Sequence, residues 1–143
     1  MAITQTLTNV FRQDCLDGAH NLGNSGDTIK IALYTSSASL DEDTTAYTTS
    51  NEVSGTGYTA GGATLSSQAV SLDTSNNVAF FDAADPSFTS ATITARGALI
   101  YNNSKSNAAI AVLDFGSDFS SSNGTFTVQF PTAAHNTALI RIS

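Results

Sequence analysis

Asp27-Thr28-Ile29-Lys30-Ile31-Ala32-Leu33-Tyr34 alternates over most of its length, which places Ile29, Ile31 and Leu33 on one face of an extended chain. It reads as a half-buried β-strand. The same grammar returns along the chain: strands are predicted at 64–72, 77–82, 91–101, 108–115, 125–130 and 138–142, separated by clusters of Asn, Asp, Ser and Gly. That makes seven strands, or eight with a short one between residues 35 and 62. Phe126, Val128 and Phe130 share a face against Thr125, Thr127 and Gln129, whereas Ile110-Ala111-Val112-Leu113 is apolar on both faces and suits a central strand. Pro86 and Pro131 fall at strand margins, where a missing N–H harms a ladder least. The expected fold is all-β: an antiparallel β-sandwich, jelly-roll-like, with one short N-terminal helix.

That helix is predicted within residues 1–17, over 5–17, where Leu7, Phe11 and Cys15 recur at i, i+4 and i+8 with Val10 beside them and Gly18 just beyond. The stripe predicts Cys15 as a small buried hydrophobe. Residues 35–62 form a long polar excursion anchored by Tyr47, Val53 and Tyr58, of a length that is usually functional, disordered or ordered by a neighbour. The chain, 1–143, shows no internal repeat or linker and is read as one domain.

Composition narrows the function. Ser and Thr fill 39 of 143 positions, and one Cys, two His, two Glu and no Trp are present, a poor inventory for catalysis. A net charge of −7 leaves no basic stripe for phosphates or for an anionic membrane, so neither nucleic acid nor membrane is an expected partner. No apolar run is long enough to span a bilayer, and the first residues lack a secretory pattern, which predicts a protein made in a cytoplasm. The lone Cys15 offers no internal disulfide.

No constellation assembles into a reactive site. Gly23-Asn24-Ser25-Gly26-Asp27 lacks nucleophile-elbow spacing and reads as a turn. The Gly-rich 55–62 segment has no helix or Lys after it to complete a phosphate cradle. Asp41-Glu42-Asp43 lacks the order of a calcium loop, and His20 and His135 are too few for a zinc set and are expected at surface or turn positions. Asp82 with Asp85 and Asp114 with Asp118 flank strand ends, where Asp commonly starts turns. No catalytic, cofactor-binding or metal-ligating residue is expected, and no cofactor.

Four blocks carry a likeness: residues 26–38 (Gly-Asp-Thr-Ile-Lys-Ile-Ala-Leu-Tyr-Thr-Ser-Ser-Ala), 47–62 (from Tyr47 through Val53 to Gly62), 91–102 (from Ala91 through Arg96 to Asn102) and 111–116 (Ala-Val-Leu-Asp-Phe-Gly). Together they resemble a family of small structural proteins of tailed-bacteriophage virions. The resemblance implies a capsid decoration or cement protein, located in the virion on the head surface, that binds and bridges major capsid protein subunits as a homo-oligomer, trimer or dimer. It brings no catalytic motif. Capsid contact is then expected chiefly from residues 1–17 and 35–62. A tail or neck component is the alternative within a virion. Outside one, a carbohydrate-binding module using Tyr34, Tyr47, Tyr58 or Tyr101 is the alternative.

Overall fold

The computed structural model describes residues 2–143. The only helix among them, α1 (Asn9–Asp17), starts later than periodicity suggests because Thr8 caps it. The Thr8 hydroxyl accepts from the Phe11 N–H at 3.2 Å and reaches the Ala109 and Ile110 carbonyls, so one buried side chain stitches the helix start to the sheet. Gly18, at φ 68°, ends the helix. Residues Thr6–Leu7, assigned to the helix by the apolar spacing, instead form β1, which pairs with Val112 and Ala111.

The main sheet is antiparallel and runs β1, then β8 (Ala108–Ser120), β7 (Thr94–Asn102), β2 (Ile29–Tyr34) and β3 (Ala63–Thr64). A three-stranded sheet joins β10 (Ile140–Ile142), β5 (Val78–Asp82) and β4 (Ala69–Asp73), and β6 (Ser87–Ala91) pairs with β9 (Gly124–Thr127). All-β, antiparallel packing with one short helix is therefore what the chain adopts. Ten strands divided five, three and two do not establish jelly-roll wiring.

The main sheet is covered on both faces. On one, Ile29, Ile31, Leu33, Ile100 and Ile110 pack with Phe11, Phe81, Phe88, Phe126, Phe130 and Ile140, which bring in the helix and the smaller sheets. On the other, Ala32, Tyr34, Leu99, Tyr101 and Val112 pack under Ile3, Ala38, Leu40 and Tyr47. β2 is thus buried on both sides, not half-buried, because the 35–62 excursion lies over the face that alternation assigns to solvent.

Two other expectations change. The strand predicted over 64–72 breaks into β3 and β4, which belong to different sheets; Ser67 turns to φ 53° and the Gln68 amide donates to the Leu22, Gly23 and Asp27 carbonyls. β6 lies in a stretch read as a connection, and β8 continues to Ser120 through an irregularity opposite Ala95–Gly97, with Gly116 at φ 83°.

Candidate functional site

The excursion is held by the protein's own tyrosines. Glu52 accepts hydrogen bonds from the Tyr47 hydroxyl (2.7 Å), the Tyr58 hydroxyl (2.7 Å) and the Gly61 N–H (2.8 Å). Tyr34 donates to the Thr48 carbonyl at 2.6 Å, Tyr101 donates to the Gly61 carbonyl at 2.6 Å, and the Tyr47 and Tyr101 rings stack at 4.8 Å. All four tyrosines of the chain thus spend their hydroxyls in one network, with Tyr34 and Tyr101 fully buried. Burial, then the Glu52 charge, pushes the Tyr101 hydroxyl up to about 12. Tyr34, Tyr47 and Tyr58 are raised too, first by burial, with Glu52 adding to each. No tyrosine is left with a free hydroxyl to present to a sugar. The Gly-rich turn belongs to the same device: Gly62, at φ 79°, lies so close to the Ile31 carbonyl that no side chain fits there.

His20, expected at a surface or turn position, lies in the connection after α1 with its side chain turned inward. Its side chain is 2% exposed, with Nε2 3.1 Å from Asp14 Oδ2 and Nδ1 2.9 Å from Asn102 Nδ2, and its ring packs on Phe11. Asn102 is fixed in turn by Asp27 and by the Ser104 N–H, so the cluster pins the end of α1 to the β7–β8 turn. At Asp27, burial opposes the anion, yet the Asn21 N–H, the Asn102 amide and the nearby Lys105 and His20 hold its carboxyl below the ordinary range. His135 lies elsewhere, 3.3 Å from Asp73. Cys15 also departs from expectation. It is exposed, because the helix starts at Asn9 and buries only Phe11 fully. Partial burial first, and Asp14 beside it, raise its thiol, the opposite of what a nucleophile requires.

Several acidic residues form turns. Asp41 accepts from the Asp43 N–H, and Asp43 accepts from Asn9, tying this loop to α1. Asp114 accepts from the Gly116 N–H, whereas Asp118 pairs with Arg96 at 2.9 Å on the surface. No group of three or more His, Cys, Asp or Glu among the described residues is placed to hold a metal. No described helix is long and apolar enough to cross a membrane.

What stands out is apolar and exposed. In the three-stranded sheet the register aligns Val70, Phe81 and Ile140 in one row and Leu72, Ala79 and Ile142 in the next, all on one face. Phe81 and Ile140 enter the core, but Val70 is 53%, Leu72 70% and Ile142 57% exposed. Phe11, Cys15 and Leu22 line a shallow cavity of about 90 Å³ with this face, and Leu16 on the same helix is 92% exposed. β4 and β10 are the outer strands of their sheet, and β4 carries no Lys or Pro to discourage pairing. The arrangement can bind a surface of like character. Burying a large aliphatic side chain fully is worth about 1.5–3 kcal/mol, so covering what these three leave exposed is worth roughly 3–5 kcal/mol per copy. Sequence reading missed this face: β4 and β10 alternate like half-buried strands, and only the register reveals that their apolar sides outrun the core beneath.

No family model, curated protein or solved structure matches the chain.

Proposed function

We propose that this protein is a structural component of a tailed-bacteriophage virion, a capsid cement or decoration protein. It binds the outer surface of the head and bridges major capsid protein subunits. The observation that carries this reading is the exposed apolar face of Val70, Leu72 and Ile142 on a sheet with open outer strands. The four sequence blocks, which resemble small virion proteins, supply the setting.

The mechanism follows from modest contact energy multiplied by repetition. A few kcal/mol per copy is weak alone, but copies that also touch one another on a regular lattice bind collectively, and association of the bound chains into dimers or trimers adds avidity. Rigidity helps, because β4 and β10 are already hydrogen-bonded strands of one sheet and add little ordering cost on docking. The docking surface proposed here draws on α1 within the 1–17 segment and on β4 and β10, in place of the 35–62 excursion.

Empty shells assembled from the major capsid protein of the same virion should bind it saturably, at a fixed ratio to lattice subunits. Self-assembly of the purified protein into rings or tubes, without shell binding, would favour a tail or neck component, for which the open edges of β4 and β10 are equally suited. Binding to glycans without shell affinity would defeat both.

A further inference from the structure

The other face of the three-stranded sheet carries a different feature. Ala69, Ser71, Phe80 and Asp82 point away from the apolar rows, and with Asp85 and residues 130–133 they line a cavity of about 360 Å³. Asp82 is 9% exposed; its Oδ1 accepts from the Ala83 N–H at 2.8 Å, while its Oδ2 is buried with no hydrogen-bond partner, the only such side-chain atom among the described residues. A buried carboxylate oxygen left unpaired costs more than a satisfied one gains. Asp85 faces the same cavity and uses Oδ1 to accept from the Phe130 N–H at 2.8 Å.

The geometry points to a calcium site in this cavity, in which Asp82 Oδ2 and Asp85 supply carboxylate oxygens, the Ser67 and Ser71 hydroxyls add neutral ones and water completes the shell. The donor class is all oxygen and irregular, which suits Ca²⁺ better than Mg²⁺, and no His or Cys lines the cavity for zinc. Bound there, the ion would clamp β4 and β5 to the 130–133 segment. The site is independent of the function proposed above and of the apolar face behind it.

With two carboxylates, affinity falls in the weak class, with Kd about 10⁻⁴–10⁻³ M. Thermal unfolding of the full chain in about 10 mM CaCl₂, against NaCl of equal ionic strength and against MgCl₂, should then raise Tm by about 5 °C or more. Asp82→Asn should abolish the calcium-specific rise, and Asp85→Asn provides the same test should the first variant fail to fold. Three results would overturn the assignment: no rise beyond the NaCl control, an equal rise with Mg²⁺, or a rise that survives in the variants, which would move the ion to another site.

Discussion

Raising the pH past 10 should unfold this protein through its tyrosines. In the unfolded chain each hydroxyl ionises near its ordinary pKa of about 10. In the folded state Tyr101 ionises only at about 12, and Tyr34 and Tyr58 are raised as well, chiefly by burial and then through Glu52 or, for Tyr34, against the Thr48 contact. The folded state therefore holds more protons than the unfolded one above pH 10, and stability falls as pH rises. Well below pH 10 all are protonated in both states and contribute no slope. Each of these three groups removes about 1.3 kcal/mol by pH 11 and over 2 kcal/mol by pH 12, for totals of roughly 4 and 7–8 kcal/mol. Tyr47, partly solvated, is left out of that sum. A stability at the lower end of the typical range, about 5–8 kcal/mol, places the alkaline midpoint between about pH 11 and 12. Without Trp, and with every tyrosine of the chain in one network, tyrosinate absorbance and circular dichroism should change together in one cooperative step. Tyrosinate appearing near pH 10 while the sheet signal persists would refute the network as described.

Three substitutions probe other parts of the argument. Glu52→Gln replaces one acceptor oxygen with a donor that faces a Tyr hydroxyl or the Gly61 N–H, and should cost about 1–3 kcal/mol in urea unfolding while speeding amide exchange across 47–62. Thr8→Ala should cost about 1–2 kcal/mol, because it removes both the helix cap and the link to the Ala109 and Ile110 carbonyls, read as a shift of the urea midpoint. Leu72→Glu should leave stability within about 0.5 kcal/mol, since this side chain is largely in water, and any larger loss would place it in the core.

The sequence was legible where one side chain serves one face. Ile29, Ile31 and Leu33 sit where alternation puts them, and the apolar run at 110–113 lies in a central strand. It misled where a polar group satisfies a distant partner. Thr8, unremarkable in sequence, moves the helix start by reaching carbonyls about a hundred residues away, and Gln68 splits a strand by capturing three carbonyls of another loop. Tyr47, Val53 and Tyr58 were visible as anchors of the excursion, but Glu52, the group that joins two of them, gave no signal beyond its rarity. The exposed rows on β4 and β10 depend on alignment of residues seventy positions apart, through β5, which local periodicity does not encode.

Under the proposed function, the face of β4 and β10 meets the capsid shell. Cosedimentation of the protein with shells of the major capsid protein of the proposed virion, comparing the parent with Leu72→Glu and Ile142→Glu, reads this directly. Saturable binding by the parent and a loss of at least tenfold in apparent affinity for each folded variant is the predicted result. Equal binding by parent and variants would contradict the placement of the docking face, and no binding by the parent would contradict the function itself.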